Sequence, residues 1–199
     1  KSNDIPSGYS IELNAHSLSR YAKIVQDYEM VPIVEPEVLM DGAHDIDTCY
    51  EITSNVLKKV FEALDKQNVY LGGILLKPNM VISGKKCEQQ ADIDKVSTMT
   101  LKCLNENVPK EVPGIVFLSG GQSNELATQH LNQMNKDSEG TQWNISFSYG
   151  RALQQPCLSS WMGNDSNIEK AQKELLKRSK LNSEATSAKY SIEDENSLL

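Results

Sequence analysis

Four short apolar runs punctuate the chain, at residues 31–38, 69–76, 114–118 and 143–149. Each is rich in Val, Ile, Leu or aromatic side chains and is bounded by Gly or Pro, the pattern of a buried strand. Each is followed by a longer amphipathic segment. Over 45–64 the residues Ile46, Cys49, Ile52, Val56, Val60 and Leu64 recur at three- and four-residue steps, which predicts a helix with one buried stripe. The same spacing predicts helices over 91–104 and 167–181. Another is expected over 123–134, where Ser123 is placed to cap the first turn and Glu125 to meet the positive helix end. A further helix over 15–28 precedes the first strand.

The order of elements is therefore α-β-α-β-α-β-α-β-α. Such alternation implies α/β architecture, with parallel strands joined by right-handed crossovers. Near-continuous apolar strands imply a sheet covered on both faces or closed into a barrel. No Gly-x-Gly-x-x-Gly follows the first strand, which weighs against a dinucleotide-binding open sheet. Residues with chemical potential stand at the C-terminal ends of all four strands, where a (β/α)8 TIM barrel gathers its site. Four strands are half of such a barrel, which takes about 250 residues. Residues 1–181 are thus expected to be the second half of a barrel, strands five to eight with their helices, and so part of a longer protein. Residues 182–199 are polar, Ser/Glu-rich and without clear period, the composition of a mobile end.

Composition narrows the function. With Lys+Arg 20 and Asp+Glu 27 the formal net charge is −7, which argues against a general nucleic-acid binder. A few local cations can still hold a phosphate in an acidic protein. Cys49, Cys87, Cys103 and Cys157 fall in no metal-ligand spacing and read as free thiols in a reducing compartment. No run is long and apolar enough to span a bilayer, so no membrane insertion is expected and the cytoplasm is the default location.

Four strand ends carry the candidate chemistry. The second closes Leu75-Leu76-Lys77-Pro78-Asn79. A lysine at a strand end most often snorkels into water. Held in a dry barrel mouth, its neutral amine could instead attack a carbonyl. The first closes Glu35-Pro36-Glu37, whose i and i+2 carboxylates share a face. Two acids on an apolar strand are either structural ion pairs or an acid–base couple. The third closes Ser119-Gly120-Gly121-Gln122-Ser123 and enters a helix, which is either a tight turn or an anion cradle. The fourth closes Ser148-Tyr149-Gly150-Arg151, and its guanidinium is a planar fork suited to phosphate. Asp41, His44, Asp45 and Asp47 fit capping roles better than a metal site. His16 and His130 have no partner visible in the sequence, and Lys85 with Lys86 reads as a solvated pair.

Together, Val-Pro-Ile-Val-Glu-Pro-Glu (31–37), Leu-Leu-Lys-Pro-Asn-Met-Val (75–81), Phe-Leu-Ser-Gly-Gly-Gln-Ser (117–123) and Ser-Tyr-Gly-Arg-Ala-Leu-Gln (148–154) resemble class I fructose-bisphosphate aldolase in order and spacing. The resemblance covers about residues 17–181. It implies a (β/α)8 barrel and a lyase of glycolysis and gluconeogenesis. Lys77 would form a Schiff base with fructose 1,6-bisphosphate, a phosphorylated sugar. Cleavage would give dihydroxyacetone phosphate and glyceraldehyde 3-phosphate. Glu35 would be the acid–base residue, and Glu37 would tune Lys77 and assist proton transfer. Ser119, Gly120, Gly121, Ser148 and Arg151 would grip a substrate phosphate. No metal or other cofactor would be needed, because the iminium is the electron sink. The full-length protein would be a homotetramer, and this chain alone would be inactive. The alternatives are another Schiff-base barrel lyase, or a non-catalytic interaction protein built on the same scaffold.

Overall fold

The computed structural model describes residues 5–138 and 141–197. Each of the five expected helices is present. These are α1 (Gly8–Asp27), α2 (Ile46–Lys66), α3 (Ile93–Asn107), α4 (Asn124–Asp137) and α6 (Ile168–Ala185). The starts of α1 to α4 are set by side-chain caps that accept otherwise orphaned backbone donors, whereas Asn167 before α6 makes no such bond. The Asp45 carboxylate accepts the Thr48 N–H at 2.8 Å, Asp92 accepts from Lys95 at 2.8 Å, and the Ser123 hydroxyl accepts from Leu126 at 3.1 Å.

The strands are β1 (Ile33–Val34), β2 (Leu75–Leu76), β3 (Gly114–Phe117) and β4 (Asn144–Phe147). They form one parallel sheet in the order β1-β2-β3-β4. The ladders are shorter than the apolar runs that predicted them. In the second run, residues Leu71–Gly73 form a 3-10 turn before the chain straightens into β2. Single hydrogen bonds carry the pairing past the strand ends. Lys77 N–H donates to Val34 C=O at 2.7 Å, Leu118 N–H to Pro78 C=O at 3.2 Å, and Ser148 N–H to Phe117 C=O at 2.9 Å. The segments after the four strands are thereby stitched into one rim.

One face of the sheet is dry. Val34, Leu76, Ile115 and Phe117 are buried there with Leu57 and Leu64 of α2, Leu104 of α3 and Leu131 of α4. Fully burying side chains of this size contributes about 1.5–3 kcal/mol each. The opposite face is open along the first strand, as half of a barrel would leave it. Burial alternates strictly from Val31 to Glu37, with Pro32, Val34 and Pro36 inside and Val31, Ile33, Glu35 and Glu37 outside. Ile33 is 41% exposed. Side chains alternate across a strand, so Glu35 and Glu37 do share a face, and it is the uncovered one.

Two sequence expectations are corrected. A helix absent from the periodicity reading, α5 (Arg151–Trp161), follows β4 directly. Pro156 lies inside it and Ala152 is its one buried residue, so it offers neither an uninterrupted period nor an apolar stripe. The mobile end expected from residue 182 is instead packed as far as the description extends. Helix α6 runs on to Ala185, Leu181, Asn182 and Tyr190 are buried, and α7 (Asp194–Ser197) closes the described chain. Arg178 anchors it, 2% exposed, with Nη1 donating to both Glu195 carboxylate oxygens at 2.6 and 2.7 Å. Its Nη2 donates to Thr128 Oγ1 at 2.6 Å and to the Asn124 carbonyl at 3.0 Å. The Tyr190 amide donates to Asn132 Oδ1 and its hydroxyl to Glu195. Polar composition here marks a buried charge network rather than a loose end; residues 198–199 lie outside the described residues.

Candidate active site

Lys77 emerges one residue past β2, directly beside the end of β1. Its Nζ lies 3.0 Å from Glu35 Oε1, with side-chain exposures of 18% and 45%. The register makes this pairing inevitable. Val34 pairs with Leu76, so the next residue of each strand, Glu35 and Lys77, must be neighbours. Buried Pro36 and Pro78 follow the two residues and fix the backbone as it leaves the sheet. Asn79, 6% exposed, joins the two segments. Its Oδ1 accepts the Val38 N–H at 2.9 Å, and its Nδ2 donates to Thr53 Oγ1 at 3.0 Å and to the Met80 carbonyl at 3.1 Å. Asn79 belongs to the Lys-Pro-Asn string, yet its role as a brace is visible only in three dimensions. Glu37 makes no ion pair with Lys77 among the described residues, so the contact to the lysine belongs to Glu35.

The Ser-Gly-Gly turn has its own brace. Ser119 is 5% exposed and its carbonyl accepts both the backbone N–H and the Nε2 of Gln122, each at 3.0 Å. The Gln122 Oε1 sits 2.6 Å from His130 Nδ1. Because a neutral imidazole carries one proton, this contact assigns it to Nδ1. Burial pushes the His130 pKa down to about 4, which keeps the ring neutral at pH 7. His130, which had no partner in the sequence reading, therefore positions the turn.

Gly120 and Gly121 both adopt positive φ, +60° and +82°, a region open to glycine at little cost. A methyl group built on Gly121 would lie 2.8 Å from Lys85 Nζ and 3.2 and 3.3 Å from the two Arg151 Nη atoms. Two cations thus converge over Gly121. Arg151 opens α5 immediately after Gly150, as expected for a strand-end cation, and Ser148 precedes it on the rim. Lys85 is the surprise. Its Nζ also pairs with Asp41 at 2.8 Å, and Lys85 first, with Arg151 and Lys86 adding, holds the Asp41 carboxyl below its ordinary range.

The structure thus groups Glu35 with Lys77, and Gly121 with Arg151. A polar groove between residues 43–47 and 86–92 is lined by none of these side chains. Among the described residues no three His, Cys, Asp or Glu side chains gather as they would around a metal ion, and no helix is long and apolar enough to cross a membrane. The four cysteines are free.

A family model described as fructose-bisphosphate aldolase class-I matches residues 1–198. The chain belongs to this family. It is 52% identical over 188 residues to a protein of Xanthomonas axonopodis pv. citri named "Probable fructose-bisphosphate aldolase class 1", covering 94% of this chain and 56% of that one. It is 47% identical to fructose-bisphosphate aldolase 4, cytosolic, of Arabidopsis thaliana, covering 94% and 48%. Among solved structures it is similar to the fructose-bisphosphate aldolase of Plasmodium falciparum, crystallised with TRAP and a small-molecule inhibitor. There the TM-score is 0.90 at 46% identity, covering 94% of this chain and 53% of that one. The chain spans about half the length of the aldolases it matches. Its parallel sheet with helices on one face is accordingly about half of an aldolase (β/α)8 barrel, the second half by motif order.

Proposed function

We propose that Lys77 is the Schiff-base nucleophile of a class I aldolase, acting on fructose 1,6-bisphosphate in the protein to which these residues contribute. The observation that carries this reading is the Lys77–Glu35 pair at 3.0 Å on the uncovered rim. A nucleophile and a proton carrier within hydrogen-bond reach form the minimal unit for imine chemistry.

The steps follow from that geometry. Glu35 takes a proton from the Lys77 ammonium 3.0 Å away, and the amine so formed adds to the keto carbon of the sugar, giving a carbinolamine. Glu35 delivers a proton to the carbinolamine hydroxyl, which leaves as water, and the iminium remains. The carbon–carbon bond then breaks with its electron pair drawn toward the iminium nitrogen, while Glu35, now a carboxylate, takes the hydroxyl proton of the departing fragment and later returns it to the enamine carbon. This releases glyceraldehyde 3-phosphate. Protonation of the enamine and hydrolysis return Lys77 and dihydroxyacetone phosphate. Glu37, on the same face, assists proton transfer. The positive iminium is the electron sink, so the chemistry calls for no metal or organic cofactor. Ser119, Gly120, Gly121, Ser148 and Arg151 hold a phosphate, with backbone N–H groups and a guanidinium as donors.

We place the full-length protein in the cytoplasm as a homotetramer, acting on a phosphorylated sugar. The 199 residues alone are expected to lack turnover, because the face that carries Lys77 is uncovered and water would compete at every step. Borohydride reduction of the full-length protein in the presence of dihydroxyacetone phosphate tests the mechanism. A stable adduct mapped to Lys77 and lost in Lys77→Met is expected; no adduct at Lys77 would sink it.

A further inference from the structure

Lys85 lies outside the four strand-end motifs, yet it is built into the anion end of the site. Its backbone N–H donates to the Met40 carbonyl at 2.8 Å, while Gly84 N–H bonds to His44 C=O at 2.9 Å and Lys86 N–H to Gly42 C=O at 2.8 Å. These bonds clamp the loop after β2 onto the loop after β1. Gly84 is required for so close an approach, since a Cβ there would stand 2.4 Å from the Gly42 carbonyl oxygen. The clamp delivers Lys85 Nζ to the space over Gly121 that both Arg151 Nη atoms also face. Two cations directed at one point repel each other unless an anion lies between or beside them. Among the described residues the anion that pairs with Lys85 is Asp41 at 2.8 Å, a side chain 62% exposed. A solvent-exposed pair of this kind is worth little by itself, so a doubly charged competitor can displace it.

We propose that Lys85 and Arg151 clamp a single phosphate monoester dianion across Gly121, and that Asp41 is the counter-ion that Lys85 exchanges for that phosphate. The assignment rests on the aldolase reading for the identity of the ester, but not for the anion site itself. Asp41 holds the ammonium near the point of use in the free protein. When the dianion arrives, Lys85 turns from one acceptor to a better one, and the two cations reach it from opposite loops. Lys85 is then a substrate-binding residue contributed by the loop after β2, and a phosphate specificity determinant.

The test is a titration of the 199-residue chain with inorganic phosphate, followed through the Gly121 and Arg151 NMR signals. Saturable binding is expected in the wild-type chain. Lys85→Met should weaken it about tenfold, the effect of removing one charge-assisted donor, and Lys85→Arg should recover most of the loss. Asp41→Asn should bind as tightly as wild type or more tightly, because it removes the competing acceptor. Unchanged affinity in Lys85→Met would overturn the proposal. So would an Asp41→Asn variant weakened as much as Lys85→Met, since that would make the pair a structural tie. Failure to form a borohydride adduct at Lys77 would strike the lyase reading and leave the Lys85-dependent phosphate titration standing.

Discussion

At the residue scale, the Lys77–Glu35 contact assigns different work to two glutamates that the sequence presents as equals. Glu35 touches the amine and Glu37 does not. Replacing Glu35 by Gln removes the proton carrier while keeping the shape, and borohydride trapping of Lys77 should slow about 10²–10⁴-fold. Glu37→Gln should slow it less, and equal losses would show that the contact does not decide the role. His130 makes a second prediction, on stability. Its folded pKa is about 4, below the ordinary value near 6.5. As pH falls below 6.5 the unfolded chain takes up the proton first. The stabilisation is therefore complete above pH 6.5 and is lost as pH falls through 4, a change on the order of 3 kcal/mol. Urea unfolding at pH 7, 5.5 and 4.5 should show this decline in the wild type and a flatter one in His130→Leu. Parallel slopes would refute it. Lys77 and Glu35 were each legible in the sequence as strand-end residues, but the register that pairs them belongs to the fold. Lys85 was not, because its neighbours in sequence are Gly84 and Lys86. Only the fold-back of one loop onto another brings it over Gly121.

At the element scale, helices were the easiest features to read, because their apolar spacing is local and so are most of their caps. Asp45, Asp92 and Ser123 each satisfy a backbone donor within one turn. Removing the hydroxyl in Ser123→Ala should cost about 1 kcal/mol in chemical unfolding, and a cost near zero would show that α4 starts on packing alone. Asp45 adds a pH dependence of known sign. Its contacts with Thr48 hold its pKa below the ordinary carboxylate range, so the cap acts above that range and fails on acidification. Strands were overdrawn for the opposite reason. Apolar runs continue past the ladder into turns and proline-locked rims, where Pro36 and Pro78 are buried without extending the sheet. Helix α5 went unread because its interior proline and single buried residue conceal it.

At the scale of the whole molecule, the described end is held by a charge pair with exposures of 3% and 11%, Arg178 with Glu195. Removing one partner strands the other in a poorly solvated place, a loss typically of about 3–5 kcal/mol for a buried pair. Arg178→Met should therefore lower unfolding stability by an amount approaching that range and speed hydrogen exchange at the Tyr190 amide, which bonds to Asn132. Unchanged exchange would show that residues 186–197 are held by other means. The sheet order has a consequence of a different kind. Ile33 pairs with Leu75, Leu76 with Ile115, and Ile115 with Ile145, so every rung joins one strand–helix unit to the next in the chain. Among the described strands no rung skips a unit. As the polypeptide leaves the ribosome, each new strand meets a template that is already laid down, and the sheet can grow by accretion at a single moving edge. Each crossover closes a loop of similar length and so carries a similar entropic cost, which lets the sheet add its strands in chain order, one unit at a time.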